Sequence, residues 1–475
     1  MKETARTPCL WLWRLYEEFS KQTTVHGLNI VGMPKLHILE RLFWVVIVVS
    51  AACGAISLAL SNWTRYSANP TVVSLQKDFR NWENPFPAAT GCFNNKLDDE
   101  KAEAYIKKKW GVTPSDSNYT YYLEFTRTIT NTTYYSLQAL QAYKDDKTLT
   151  DVNMVELVAK VHPELSGTLV TFHTKHKTDW QLILTELGVC FTVNSKFAEI
   201  ISLRAYSDNP EATGGYVEAL RCHYLNGLCY ARYDSDPTLS LKYYLHSYLD
   251  IVHITARSYH DVEESEEMEI NYRMIETIST PDLRYLSPTQ RRCRFDDEPL
   301  TGEVSFYSTS ICYVLCRYKL ALKLCGCKPF FYHFLPGKVC DINGLLCLSK
   351  HVDKITDNPA RIGCKCPQPC DLIVYLPQMI KCTKWEYGYF DQRITFRWGL
   401  LPPTTKYRRD ILFGFEDLIV SIGGTVALFL GISFISVIEM VFLIFENAIK
   451  LYMERKDENT KIFVVKSAGS SAATP

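Results

Sequence analysis

Two apolar runs stand out from an otherwise mixed pattern of polar and apolar positions. Leu42–Leu60 (LFWVVIVVSAACGAISLAL) carries no charge over 19 residues, and Leu418–Phe445 carries one, Glu439, over 28. A helix needs about 20 apolar residues at 1.5 Å rise to cross the hydrocarbon of a bilayer. The first run meets that length, and the second leaves room for a tilt or a break. The second also holds Gly423, Gly424 and Gly431 among the hydroxyls of Ser421, Thr425, Ser433 and Ser436. Small and hydroxylated residues let membrane helices approach closely. Irregular backbone at that depth is tolerated where protein buries it or where it lines a water-filled cavity. An intramembrane acid such as Glu439 faces a bundle interior. These features favour a pore-lining helix over a plain anchor.

Between the runs lie about 350 residues of shorter-period pattern. NPFPAATGC, residues 84 to 92, predicts an extended lead into a sheet. Residues 98 to 165 are polar and helix-prone, with Tyr135, Leu137 and Leu140 near helical spacing and assigned to a core. Residues 179 to 205, around Cys190, and residues 246 to 259 (HSYLDIVHITARSY) predict strands. The next stretch places six carboxylates between Asp261 and Glu269. Such a run is ordinarily a solvated face, with cation or proton binding as the alternative.

Basic flanks set the expected orientation. Lys35 and Arg41 precede the first run, and Lys450, Arg455 and Lys456 follow the second. Basic flanks mark the cytoplasmic side, so both termini are expected in the cytoplasm. The expected divisions are 1–41 cytoplasmic, 42–62 first span, 63–416 extracellular, 417–446 second span and 447–475 a cytoplasmic, disordered tail. The first run starts after about 40 mixed residues and is too long for a signal-peptide core. The chain has 475 residues and no net charge, so nothing suggests a nucleic-acid partner. Of 17 cysteines, 15 lie between the runs, a density that belongs to an oxidising compartment. The sequons at Asn118 and Asn131 fit an extracellular loop; that at Asn62 abuts the first run.

The cysteine block has its own geometry. Cys312 and Cys316 are four apart, about 6 Å along a helix face. Cys364 and Cys366 are two apart, about 6.7 Å along an extended segment. The match allows a helix to be stapled twice, as Cys312–Cys366 and Cys316–Cys364, with Cys293–Cys370 closing the same nest. Cys325 and Cys327 can then pair with Cys347 and Cys340 in a second nest. Zinc is the disfavoured alternative in an oxidising compartment, and spacing alone does not prove connectivity.

His26-Gly27, Phe86-Pro87-Ala88-Ala89-Thr90-Gly91-Cys92, Gly431-Ile432-Ser433 and the cysteine run from ICYVLC to CKCPQPC together carry a resemblance. The chain resembles the degenerin/epithelial sodium channel superfamily, and within it the insect pickpocket branch. RRCRFDDE and KVCDINGLLCLSKH look like the pickpocket forms.

The resemblance implies an α+β membrane protein with two transmembrane helices. Its large disulfide-rich extracellular α/β domain would be hand-like, with palm, finger, thumb (about 293–382), knuckle and β-ball. It implies a homo- or heterotrimer in plasma-membrane lipid around a cation pore, usually sodium-selective and often blocked by amiloride. The selectivity filter falls on Gly431, Ile432 and Ser433, and the gate on Val420, Ser421 and Gly424. The lower pore falls on His26, Gly27, Glu439 and Glu446, the two acids being seven apart on one face. Cys92 would pair with Cys190, and Cys222 with Cys229 in a local loop, leaving Cys382 free or bonded between subunits. An extracellular stimulus, a ligand such as a peptide or small molecule, or force, would gate it.

The chain also departs from the family. The usual finger cysteine pair is missing, PTVVSLQKDF lacks the histidine of acid-sensing members, and SPTQRR lacks their tryptophan. Proton gating by that route is not supported. An ATP-gated trimer shares the two-helix plan, and Tyr452 to Lys456 fits part of its tail motif, but not the cysteine block. A non-conducting two-pass receptor or auxiliary subunit is the other alternative. No catalytic motif, metal site or bound cofactor is expected.

Overall fold

The computed structural model describes residues 20, 23, 25–33, 36–172, 178–206, 219–223, 225, 227–235, 240–256, 259–443, 445, 446, 449 and 453. The chain forms two compact units, Met1–Val72 with Ile411–Pro475, and Val73–Asp410. After a four-residue helical turn at Leu28–Val31, the first unit forms α1 (Ile38–Ala68), which is long and apolar enough to cross a membrane. It extends past 42–62 at both ends. His37 caps its start through a ring nitrogen that accepts from the Leu39 N–H, and Asn69, which precedes Pro70, ends it.

The larger unit contains β1 (Thr71–Gln76, which straddles its boundary), β2 (Glu83–Pro85), β3 (Ala88–Phe93), α2 (Asp99–Trp110), α3 (Tyr119–Thr130) and α4 (Met154–Val161). Then come β4 (Gly167–Thr171), β5 (Gln181–Thr185), β6 (Gly188–Val193), β7 (Arg221–His223), β8 (Cys229–Ser235), β9 (Leu241–His246), β10 (His260–Val262) and β11 (Glu266–Ser279). It ends with α5 (Thr309–Cys325), α6 (Ile342–Ser349), β12 (Leu372–Lys384), β13 (Ile394–Leu401) and β14 (Lys406–Ile411).

The longest sheet is built around β11. Its order is β1-β14-β11-β13-β8-β4, with β12 also paired to β11. β11 pairs antiparallel with β12 and parallel with β13 and then β14, so one 14-residue strand holds three others in register. A five-stranded antiparallel sheet, β10-β9-β3-β6-β5, supplies the second layer. Alternation puts Ile394, Phe396, Trp398 and Leu400 of β13 into the core with Tyr243 of β9. Tyr243 and Phe396 stack with ring centres 4.1 Å apart.

A second core gathers α2 to α6 against β5 and β6. Local signals explain these helices. Asp98 caps α2 by accepting from the Lys101 N–H at 3.0 Å, and left-handed Gly111 ends it. Ser308 caps α5 and left-handed Gly326 ends it.

Three sequence expectations need correction. Residues 247 to 256 are turns and irregular chain, and the strand, β9, lies just upstream. Ile251 and Val252 are buried as loop side chains, so their β-branching reflects burial and not pairing. Strand structure in 179–205 ends at Val193, after which Ala198–Ile201 is helical. Tyr135 is 61% exposed, whereas Tyr134, Leu137 and Leu140 are fully buried; a tight 3-10 turn over Leu137–Tyr143 replaces the α-helical spacing. The acidic run forms β10, a turn and the start of β11, with Val262 and Met268 inward.

The first unit is completed by α7 (Phe415–Leu430) and α8 (Phe434–Leu443), bent 70° from each other at a short break.

Candidate functional site

The break between α7 and α8 is built from Gly431, Ile432 and Ser433. Gly431 ends α7 in the left-handed region, φ +66°, and its N–H donates to the Ala427 carbonyl at 2.9 Å. Ser433 begins α8. Its hydroxyl accepts from the Ser436 N–H at 3.2 Å, and the Ser436 hydroxyl accepts from the Ser433 N–H at 3.3 Å. This reciprocal cap satisfies donors that a new helix start leaves unpaired. The two hydroxyls lie 3.0 Å apart, so Ser433 acts on the local backbone through its side chain.

The His26-Gly27 turn packs on this break. The His26 N–H donates to the Leu430 carbonyl at 3.1 Å. A Cβ placed on Gly431 would sit 1.7 Å from the His26 Nδ1. Gly27, φ +86°, leaves room for Val48 of α1, whose Cγ2 would be 2.6 Å from an added Cβ. Two left-handed glycines thus allow the turn, α1 and the break to meet.

Val420, Ser421 and Gly424 lie on α7 and Glu439 on α8, with Glu446 beyond its end. Val420 is 73% exposed on α7, and Gly424, one turn on, is also exposed. The Ser421 carbonyl accepts from the Thr425 hydroxyl at 2.7 Å. Glu439 and Glu446 are half-buried. Of the basic flanks, Lys35, Lys450, Arg455 and Lys456 lie outside the described residues, as does the tail after 453.

In the larger unit, seven disulfides join Cys92–Cys190, Cys222–Cys229, Cys293–Cys370, Cys312–Cys366, Cys316–Cys364, Cys325–Cys347 and Cys327–Cys340. Cys312–Cys366 and Cys316–Cys364, with Cα separations of 5.7 and 6.1 Å, staple α5 to an irregular extended segment. Among the described residues Cys53 and Cys382 are unbonded and exposed. The one close group of metal-type ligands among them, Cys325, Cys347 and His351, has both sulfurs in a disulfide. The Asn118 sequon is exposed. Asn131 is half-buried, its side-chain amide donating to the Arg127 carbonyl at 3.1 Å.

A buried polar network lies behind α5 that no sequence motif announces. Arg317 of α5 holds Glu186, from the β5–β6 turn, at 2.9 and 3.1 Å, with the two side chains 1% and 2% exposed. Arg317 also donates to Thr255 at 2.7 Å, and the Ile254 N–H donates to Glu186 at 2.8 Å. The Tyr332 hydroxyl donates to Glu186 and accepts from Tyr134 at 3.1 Å. Burial, the largest single effect, pulls the guanidinium down, but Glu186 together with Tyr332 and Tyr134 outweighs it and holds Arg317 above its usual value. Burial, then Glu186, pushes the Tyr332 phenol well up, so it remains a donor. The partners are 131 residues apart in the chain, which is why spacing cannot reveal the pair.

A family model described as amiloride-sensitive sodium channel matches residues 19–443. Pickpocket protein 19 of Drosophila melanogaster is 28% identical over 215 residues, which cover 39% of this chain and 40% of that relative's length. Sodium channel protein Nach of Drosophila ananassae is 22% identical over 463 residues, 91% of this chain and 86% of that one. Pickpocket protein 28 of Drosophila melanogaster is 22% identical over 490 residues, 90% and 77% of the two chains. The family match runs across nearly the whole sequence, and the chain belongs to the amiloride-sensitive sodium channel family.

Proposed function

We propose that this chain is a subunit of a trimeric, sodium-selective, amiloride-sensitive cation channel of the plasma membrane, gated by an extracellular stimulus. In this reading α1 is the first span and α7 with α8 a broken second span. Both termini are cytoplasmic and Val73–Asp410 is extracellular. The observation that carries the reading is the capped break at Gly431-Ile432-Ser433. A helix C-terminus carries roughly half a negative charge on its carbonyl groups. Three copies of α7 around one axis would bring three such ends to one depth, where carbonyls can replace the hydration of a cation. The His26 N–H already engages the Leu430 carbonyl, so the carbonyls of Gly431 and Ile432 are assigned to the ion. Ser433 then positions the filter as a cap. Val420 and Gly424, one helical turn apart on α7, are assigned to the gate, and Glu439 and Glu446 to the inner cation path.

Whole-cell recording in sodium and then potassium solutions, with amiloride as blocker, tests this. Ser433→Ala removes a cap worth about 1 kcal/mol and is expected to shift the reversal potential toward lost sodium preference at unchanged surface abundance. An unchanged reversal potential would sink the filter assignment. Surface protein that never conducts alone would favour an auxiliary subunit.

A further inference from the structure

Among the described residues, the Cys325–Cys347 bridge has an imidazole beside it that the other six disulfides lack. Cys325 ends α5, Cys347 lies on α6, and His351 follows Cys347 by four residues and caps the turn Val352–Ile355. A spacing of four puts two side chains on one face of a helical rise. The two sulfurs and a ring nitrogen of His351 all lie within 4.8 Å of one another, each residue being half-buried. His351 bonds through its backbone, its N–H donating to the Leu348 carbonyl and its carbonyl accepting from the Ile355 N–H, both at 2.9 Å. Its ring has no hydrogen bond among the described residues. Access separates this bridge from the one nested inside it. Cys327 and Cys340 are 5% and 3% exposed. Exchange requires the attacking thiolate to reach a sulfur, so the outer rung opens first. The inner rung then still ties the end of α5 to the start of α6 and keeps the three groups together.

We propose that reduction of Cys325–Cys347 turns this corner into a zinc site, with two thiolates and the His351 imidazole as ligands and water in the fourth place. Zinc takes cysteine and histidine ligands in a tetrahedron, and three protein ligands leave one position open. Two thiolates on one zinc, each at about 2.3 Å, sit about 3.8 Å apart. Rotation about the side-chain bonds reaches that separation at the present Cα spacing of 5.9 Å. While the bridge is closed its sulfurs carry no thiolate charge, and zinc is excluded. The reductant is a dithiol. It gives two electrons and two protons to the Cys325–Cys347 bond and closes to its own disulfide. Zinc then replaces the two thiol protons, which pass to solvent. Bound zinc in turn holds the pair against closing again. The site is a redox-licensed metal centre in the larger unit, and it does not depend on conduction.

The test uses the purified full chain in detergent, opened by graded dithiothreitol and freed of it without air. Alkylation with peptide mapping identifies the thiols, and zinc is titrated against a chromophoric chelator. Cys325 and Cys347 should be labelled before Cys327 and Cys340, and the reduced chain should bind zinc where the oxidised chain does not. Cobalt(II) in place of zinc should give a thiolate-to-metal charge-transfer band. Cys316–Cys364 is the other bridge with both cysteines half-buried, but it has no imidazole beside it among the described residues. Zinc should therefore protect Cys325 and Cys347 from alkylation and leave Cys316 and Cys364 open to it. His351→Ala and the milder His351→Gln should release the same thiols and bind zinc at least about tenfold more weakly. The thiol map shows that each variant keeps its fold, because a collapsed chain would release Cys327 and Cys340 together with the outer pair. The proposal is overturned if the inner bridge opens as early as the outer one in the parent, if zinc fails to protect Cys325 and Cys347, or if both His351 variants bind zinc as the parent does.

Discussion

Arg317→Met would leave the Glu186 carboxylate in a site where it is 2% exposed. The guanidinium contacts at 2.9 and 3.1 Å disappear, and Thr255 keeps only its hydrogen bond with the His253 ring. The Ile254 N–H and the Tyr332 hydroxyl remain, but two neutral donors do not balance a buried charge. Removing one member of such a pair costs about 3–5 kcal/mol. The larger unit, Val73–Asp410, has 338 residues. At about 2.1 cal/mol/K per residue its unfolding entropy is about 0.7 kcal/mol/K, so the expected fall in Tm is about 4–7 °C. Arg317→Met with Glu186→Leu removes both charges, and replacing a whole buried pair by apolar groups is close to neutral. The double variant should therefore melt within about 3 °C of the parent, with a coupling of at least about 2 kcal/mol. Scanning fluorimetry of the purified full chain at one fixed scan rate reads both values. A double variant that melts at or below the Arg317→Met protein would refute the reasoning, as would a single variant within about 1 °C of the parent.

Gly431→Ala forces a left-handed alanine, costing about 1–2 kcal/mol, and drives its Cβ into the His26 ring. Loss of current at normal surface abundance is expected; a parent-like current would contradict the packing of the turn on the break. His162 and His333 are both lowered to about 4, mainly by burial. Unfolded imidazoles titrate near 6.5, so between pH 6.5 and 4 the unfolded chain binds more protons and stability falls as pH falls. The Tm should drop from pH 7 to pH 5, and His162→Gln with His333→Gln should flatten that slope; an equal slope in the variant would show that other groups carry it. Asn118 is exposed, whereas the Asn131 amide is tied to Arg127 and Lys96 and its neighbour Thr132 is 1% exposed. Glycopeptide mapping should find sugar on Asn118 alone, and an occupied Asn131 would overturn that assignment.

Features that depend on a few neighbouring residues can be read in the sequence. Desolvation decides the two apolar runs over about 20 positions, and glycine and serine chemistry marks the break within one of them. The matched rungs of Cys312/Cys316 and Cys364/Cys366 follow from the rise of a helix and of an extended chain, which any reader of the spacing can compute. Tertiary structure decided what local pattern leaves ambiguous. Ile251 and Val252 resemble strand residues because burial in a loop selects the same apolar side chains that pairing does. Glu186 and Arg317 are ordinary charged residues until folding removes water from both and brings them to 2.9 Å. Gly431 is one glycine among several in its run, and only the His26 ring against its α-carbon shows why no side chain fits there. Sequence carries the covalent and hydropathic terms, which are summed along the chain. Contact between distant segments supplies the desolvation and packing terms, which exist only in three dimensions.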